Sequence, residues 1–427
     1  MKVLWVTNVP LPEASSLMDR ETSVFGGWLA SASTALANTE GISLSVGFPD
    51  RRWNGTTPLR GEHIAFYPFM PASETTLRNG PFYLRFTELL DEVSPDIVHI
   101  FGTEYAHAQA VAEICTVKAQ KFVVSIQGLV SIYAKHYVTG LPPRVQNRFT
   151  LRDLLRRDNI RGQQITFVDR GTREIATLQM TQHVIGRTTW DKACVSQINP
   201  SAHYHKCNEI IRDAFYHSSW DIGSCERFSI FVSQGSYPIK GLHFLLEAMP
   251  IVMQRFPQVK LYVAGHDITD RRSMGSRMRA SSYGQYISEL IQRHQLQDNV
   301  IFAGLLNERQ MCDHLLKAHI CVLPSTIENS PNSLGEAMLI GTPCIAADVG
   351  GVRDLVRHGV DAFTYQVDAP YMLAYYICRV LEDDSVAAHL SRNARIHARA
   401  THDVVINNEC LLRIYQNVLD SQESDEP

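Results

Sequence analysis

The sequence predicts an α/β protein made of two doubly wound, parallel-sheet (Rossmann-like) domains. Three observations lead there: short runs that are apolar throughout, helical patterns that alternate with them, and a chain of 427 residues, too long for one ordinary core. Runs of this kind, bounded by turn residues, read as strands covered on both faces by helices. In the first half they fall at 2–7, 42–48, 97–101, 122–126 and 183–185. The second half repeats the rhythm at 228–232, 260–264, 300–302, 320–323, 343–346 and 362–365. The two series part in the polar stretch 216–227, which holds Ser218, Ser219, Gly223 and Ser224. Domains are therefore expected over residues 1–215 and 216–403. Residues 404–427 close the chain. Their apolar positions Val405, Leu411, Leu412, Ile414 and Val418 suit an amphipathic helix packing back on the first domain, and the last residues, 421–427, are expected to fray.

Composition narrows the function. With 45% hydrophobic and 20% charged residues the chain reads as a soluble globular enzyme. A formal charge of -4 gives nucleic acid no purchase as a main partner. Nine cysteines, scattered and without a Cys-x-x-Cys pair, argue against a disulfide framework or zinc ribbon and for a reducing compartment. The opening apolar run reads as a first strand and not a secretory leader, and no run approaches the roughly 18 apolar residues of a membrane span. A cytoplasmic protein is expected.

The chemistry concentrates in Glu328-Asn-Ser-Pro-Asn-Ser-Leu-Gly-Glu336, followed by Ala-Met-Leu-Ile-Gly-Thr-Pro. A buried strand ends just before Glu328, and a helix carries Glu336 in its first turn. That strand–loop–helix passage puts two carboxylates at the carboxyl end of a parallel sheet, where open α/β folds bind ligands. Ser333-x-x-Glu336 also fits a capping box, in which the glutamate only satisfies a helix end. Tyr237-Pro-Ile-Lys240-Gly241 places one lysine at the end of the second domain's first strand, suited to a phosphate and equally to a solvated surface. Gly26-Gly27, after the first strand, opens a predicted helix over 29–37 and would present bare amides to an anion; a tight turn for packing is the alternative. Two such domains facing each other would bring these groups to one cleft.

These residues resemble the retaining glycosyltransferases of the two-domain GT-B fold, specifically glycosyltransferase family 4. The likeness is carried by Tyr-Pro-Ile-Lys240-Gly-Leu-His, Val-Ala-Gly265, Val300-Ile-Phe-Ala-Gly304, the Glu328–Glu336 pair and Gly-Thr-Pro-Cys-Ile-Ala-Ala-Asp-Val-Gly-Gly351. In the first half it is looser: Gly26-Gly27, Pro95-Asp-Ile-Val-His99 and Val124-Ser-Ile-Gln127-Gly128. The segment Gly186-Arg187-Thr-Thr-Trp190-Asp191-Lys192 is similar to a subset that makes bacterial surface polysaccharides. The resemblance implies a first domain for the acceptor and a second for a nucleotide diphosphate sugar. It implies that Glu336 binds the ribose, Glu328 the donor hexose, and amides around Ser333 and Leu334 the distal phosphate, with Asn332 also in the donor site. Lys240 would neutralise the leaving diphosphate, with the base against the strand end near Gly304–Leu305 and with Gly265, Gly26, Gly27 and Gln127 completing the donor site. Catalysis would rest on Glu328 and Lys240. Since no Asp-x-Asp or histidine cluster accompanies them, no metal is expected, and no other cofactor is implied.

Two positions depart from the family pattern. Gly235 stands where an arginine often precedes the phosphate lysine, and Gln127 where a histidine often contacts the donor sugar. Gln127 still donates and accepts hydrogen bonds but is no acid or base near neutral pH. These departures keep two other functions open, a non-catalytic partner subunit with the same fold and a sugar-nucleotide epimerase. The expected acceptor is a glycan or lipid-linked oligosaccharide in surface-polysaccharide synthesis. Arg144, Arg148, Arg152 and Arg156, at every fourth position beside Leu151, Leu154 and Leu155, would form a basic stripe if helical. Such a stripe would suit peripheral contact with the inner membrane face, or else it is a solvated helix face packed by its leucines. His203, His205 and Cys207 alternate along a strand, but lack a fourth metal ligand at useful spacing.

Overall fold

The computed structural model describes residues 1–21, 26–53, 57–72, 80–270, 275, 278 and 280–421. It contains two doubly wound α/β units. The first consists of Met1–Ser131, Asp169–Arg212 and His402–Pro427, the second of Ile132–Val168 and Asp213–Thr401.

In the first unit the described strands are β1 (Lys2–Val6), β2 (Ser43–Pro49), β3 (Leu59–Arg60), β4 (Ile64–Phe69), β5 (Ile97–Phe101), β6 (Phe122–Ser125), β7 (His183–Gly186) and β8 (His203–Lys206). They lie in the order β3-β4-β2-β1-β5-β6-β7-β8, and every pairing is parallel except β3 with β4. The period of two in β1 shows why such runs are apolar throughout. Val3 and Trp5 enter one core with Leu29, Leu36 and Val418; Leu4 and Val6 enter the other with Leu89, Leu90 and Val111.

Helix Val404–Asp420 closes the first of these cores. Its Tyr415 hydroxyl accepts from the Trp5 indole N–H at 2.8 Å and meets His99 Nδ1 at 2.7 Å. His99 Nε2 in turn meets the Ser125 hydroxyl at 2.7 Å. Burial pushes the His99 imidazole down to about 3, so it works here as a neutral hydrogen-bonding bridge. Tyr415→Phe would leave the buried Trp5 and His99 groups without this partner, and a loss of about 1–3 kcal/mol is expected, read as a lower denaturation midpoint at unchanged denaturant slope.

The second unit holds β9 (Glu226–Val232), β10 (Lys260–Ala264), β11 (Val300–Gly304), β12 (Ala318–Leu323), β13 (Cys344–Ala347) and β14 (Phe363–Tyr365). Its described sheet is parallel throughout, in the order β11-β10-β9-β12-β13-β14. Every residue of β12 and β13 is buried, as a sheet covered on both faces requires.

Two expectations are corrected. The first is the contiguous domain 1–215: Ile132–Val168 belongs to the second unit. Long-range polar contacts hold it there. Buried Asp153 accepts from the Ser282 amide at 3.0 Å and from its hydroxyl, and Arg148 pairs with Glu289 at 2.7 Å. His243 Nε2 meets the Thr139 carbonyl at 3.1 Å. The other division, between Arg212 and Asp213, lies close to the expected one, and the closing helix sits in the first unit. Of the tail expected to fray, residues 422–427 lie outside the described residues.

The second correction concerns the arginine stripe. Helices Pro143–Gln146 and Leu151–Arg156 are separate elements. Thr150 and Asp153 form a reciprocal capping box that starts the second one. Arg148 and Arg152 are committed to Glu289 and Asp158, and the leucines are not packed but exposed, Leu154 by 65% and Leu155 by 73%. Among the described residues no helix is long and apolar enough to cross a membrane.

Candidate active site

An open α/β sheet offers a ligand crevice where its strand order reverses, because the two flanking loops turn opposite ways. In the second unit that point lies between β9 and β12. Beyond β9 the chain makes the single turn Pro238–Lys240; beyond β12 it runs through Pro324 and Ser325 to Glu328. Gly241 brings the two loops together. It adopts φ 66°, and a Cβ there would stand 1.8 Å from the Pro324 carbonyl oxygen, so no larger residue allows the contact. The Thr326 amide then donates to the Ile239 carbonyl at 2.7 Å.

This approach sets Lys240 Nζ 2.6 Å from Glu328 Oε1. The Ser325 hydroxyl donates to the same oxygen at 2.8 Å. Behind the carboxylate, Gly350 lies so close that a Cβ would meet the Glu328 carbonyl oxygen at 1.9 Å, and the Gly351 amide donates to that carbonyl at 3.0 Å. Glu328 is thus gripped at backbone and side chain. The pair is largely buried, with 22% of the Lys240 and 10% of the Glu328 side chain exposed. Burial by itself would lower the Lys240 ammonium, but the adjacent Glu328 carboxylate and the Tyr237 hydroxyl hold it above its ordinary value. Lys240 is a fixed cation at any working pH.

Three further groups shape this corner. The Tyr237 ring centroid lies 5.9 Å from Lys240 Nζ. Tyr133, on helix Val130–His136, accepts from the Asn329 amide at 2.8 Å, and His136 of the same helix offers its carbonyl to the Thr326 hydroxyl at 3.2 Å. Tyr237 stands inside a segment the sequence singles out, and Ser325 lies between two of them, the run 320–323 and the stretch from Glu328. Tyr133 has no local signal, since it arrives from a segment almost two hundred residues away.

Helix Asn332–Ile340 carries the second carboxylate. Glu336 is buried at its fifth position, one turn deeper than expected. The helix is capped by Pro331 with no side-chain cap, so the capping-box alternative for Ser333 and Glu336 does not hold. Of the amides expected to meet a phosphate, that of Leu334 already donates to the Pro331 carbonyl at 2.9 Å. Asn332 and Ser333 occupy the first two helical positions, where the ladder itself supplies no acceptor. At the far side of β9 the tips of β10 and β11 meet, the Gly265 amide donating to the Gly304 carbonyl at 2.8 Å. Neither glycine has a heavy atom within 4 Å of where a Cβ would stand, so a flat group finds open space there.

At Gly235 a Cβ would press on Leu242 Cδ2 at 2.8 Å and Val263 Cγ1 at 2.9 Å. The room for a longer side chain is filled by core, so no cation stands there to share the load of Lys240.

The remaining expected residues lie in the first unit. Gly26, at φ 74°, caps helix Gly27–Ala37. The Arg212 side chain lies across Gly27, where a Cβ would be 2.6 Å from its Cδ. A helix start beside an arginine is a more favourable anion environment than the Gly-Gly pair alone announces. The Gln127 carbonyl accepts from Arg187 Nη2 at 3.1 Å, and Gln127 lines a cavity of about 50 Å³ with Trp28, His99 and Arg187. His205 Nε2 lies 3.0 Å from His183 Nδ1; among the described residues no three His, Cys, Asp or Glu side chains gather as metal ligands would.

Residues 214–397 match the family model described as glycosyl transferases group 1, an interval that nearly coincides with the second unit from Asp213 to Thr401. An uncharacterized glycosyltransferase of Methanocaldococcus jannaschii is 28% identical over 171 residues, 40% of each chain. The chain thus aligns with less than half the length of that curated relative. Sucrose-phosphate synthase from Thermosynechococcus elongatus shares the fold at a TM-score of 0.70 and 15% identity, covering 99% of this chain and 100% of that one. Anabaena Alr3699/HepE in complex with UDP-glucose does so at 0.66 and 18%, covering 98% and 99%. The chain has the GT-B fold, and its second unit carries a glycosyltransferase domain.

Proposed function

We propose that this chain is a retaining, family 4 hexosyltransferase. It moves a hexose from a nucleotide diphosphate sugar to a glycan or lipid-linked oligosaccharide acceptor in surface-polysaccharide synthesis. The observation that carries the proposal is the Lys240–Glu328 contact of 2.6 Å at the strand-order reversal inside the matched interval 214–397. The UDP-glucose held by the Anabaena protein makes a UDP-hexose the first donor to try.

Sugar transfer passes through an oxocarbenium-like state while a diphosphate departs, so a fixed cation near that diphosphate acts most strongly in the transition state. Lys240 takes this role, and the amides at the Asn332–Ser333 helix start assist it. Glu328 exchanges part of its contact with Lys240 for hydroxyls of the donor hexose, and Glu336 binds the ribose. The base lies on the Gly265–Gly304 step. In the route we favour, the bond from the anomeric carbon to the diphosphate oxygen breaks as the acceptor oxygen bonds on the same face. The freed phosphate oxygen takes the acceptor proton, and no metal takes part. We assign the acceptor to the first unit, and Gln127, Gly26 and Gly27 to its share of the donor contacts.

A thermal-shift panel of nucleotide sugars tests this reading. A donor at about a hundred times its Kd stabilises by about 2.7 kcal/mol, so UDP-glucose or a close relative should raise the melting temperature by several degrees. The shift should vanish in Glu336→Ala and shrink in Lys240→Ala. If no nucleotide sugar shifts the wild type, or if Glu336→Ala keeps the whole shift, the assignment of the donor fails.

A further inference from the structure

The second unit holds a cavity of about 380 Å³ whose lining includes none of the residues of the Lys240–Glu328 corner. One wall is helix Asp384–Thr401, and the other is the segment Trp220–Ile222. Packing fixes both. The Trp220 indole N–H donates to the Ala318 carbonyl at 2.7 Å, and the Trp220 amide donates to the Ile340 carbonyl at 2.9 Å. Gly341 follows at φ 92°, where a Cβ would stand 2.6 Å from Arg395 Cδ. The cavity therefore adjoins the carboxyl end of helix Asn332–Ile340, whereas the Glu328 loop enters that helix at its amino end.

Charge sets this cavity apart. Arg392, Arg395 and Arg399 all line it. They fall at i, i+3 and i+7 of one helix and so share a face, along which they span about 10.5 Å. The hydrogen-bond partners that two of them have are neutral. Arg395 Nη1 donates to the Ser219 hydroxyl at 2.6 Å, and Arg399 Nη2 to the Tyr216 carbonyl at 3.4 Å. Arg395 Nε is buried without a partner, and burial together with the Arg399 charge lowers this guanidinium from its ordinary value. Asp221 is the only carboxylate among the described lining residues, and it already accepts from the Gly223 amide at 2.8 Å. Three cations against one anion leave an excess of positive charge in a concave site. A helix end takes one cation to good effect; three exceed that need.

Shape and chemistry narrow the ligand. A cavity of this size suits a small molecule. Guanidinium forks match phosphoryl oxygens two at a time, and their spread along the helix fits two linked phosphoryl groups better than one. Ile222 and Ile396, the latter 64% exposed, supply apolar surface for the group that carries them.

We propose that this cavity binds a small organic diphosphate, with Arg392, Arg395 and Arg399 on its phosphoryl oxygens and Ile222 and Ile396 against its carbon skeleton. The site is separate from the proposed donor site and stands whether or not that reading holds.

Calorimetric titration of the full chain with n-butyl diphosphate tests the proposal. The wild type should bind this probe at least about tenfold more tightly than n-butyl monophosphate, the worth of one charge-assisted contact. Arg392→Gln/Arg399→Gln should weaken binding about a hundredfold, or about tenfold for each arginine removed. Its melting temperature, and any nucleotide-sugar shift, should stay at wild-type values, which separates loss of this site from loss of fold or of donor binding. Lys240→Ala/Glu328→Gln should keep the site at wild-type affinity. If the double arginine variant melts early, Arg392→Glu alone decides, because Arg392 is exposed and reversing its charge should weaken binding at least about tenfold. A wild type that does not bind the probe overturns the proposal. So do equal affinities for the mono- and diphosphate, or arginine variants that bind as the wild type. Binding lost only in the Lys240→Ala/Glu328→Gln variant also overturns it, by giving the diphosphate to the donor corner.

Discussion

Lys240→Ala should lower turnover by about 10²–10³-fold while changing donor affinity far less. Positive charge near the departing diphosphate counts for most when the glycosidic bond is nearly broken, so its removal falls on kcat before KM. No cation at position 235 compensates, because the space there is closed by Leu242 and Val263. The substitution also strands Glu328, whose side chain is only 10% exposed, and breaking one half of a buried pair destabilises by about 3–5 kcal/mol. Lys240→Ala/Glu328→Gln removes that second effect: it should melt closer to the wild type than Lys240→Ala and still turn over slowly. Steady-state release of UDP in the presence of acceptor, alongside melting curves, separates the two contributions. A Lys240→Ala enzyme that keeps kcat within about threefold of wild type would remove the lysine from the chemistry, since a preorganised charge is worth far more.

That corner was legible in the sequence because its parts are local. Each half follows a strand end directly, a lysine and a turn glycine after β9 and a carboxylate after β12, and the parallel pairing of those strands does the rest. The buried strands were legible for the same reason, since a run apolar throughout is what burial on both faces demands. β4 (Ile64–Phe69) escaped because Pro68 sits inside it, and proline argues against a central strand. It is tolerated because β3 pairs only with Ala65 and Phe66, which leaves β4 an edge at Pro68. The allegiance of Ile132–Val168 had no local signature at all. Asp153 and Ser282 are 129 positions apart, and such a contact leaves no trace in periodicity. The broken arginine stripe, by contrast, could have been read. Thr150-x-x-Asp153 is a helix-start signature, and it outranks a four-residue spacing of arginines.

Glu174 carries the second large effect, on stability against pH. Its carboxylate is wholly buried in the first unit, where it accepts from the amides of Val130 and Ser131 and from the hydroxyls of Ser131 and Thr103. Burial wins over these donors and, with a small push from Glu104, raises the group from its ordinary 4.5 to about 7. A raised carboxyl means that between those values the folded chain binds more protons than the unfolded one, so stability falls as pH rises. The contribution of the protonated form is complete below the ordinary value and is lost by the time pH passes about 7, and a shift of this size corresponds to about 3 kcal/mol. Glu174→Gln is neutral throughout. Its side-chain amide cannot accept from every donor, which lowers stability by a constant amount, but it carries no titration. Denaturant unfolding at about pH 5 and about pH 8 should therefore show the gap between wild type and variant closing or reversing by about 3 kcal/mol toward the higher pH. Two stability curves running parallel across that range would mean that Glu174 ionises as an ordinary carboxylate, its four donors having outweighed its burial.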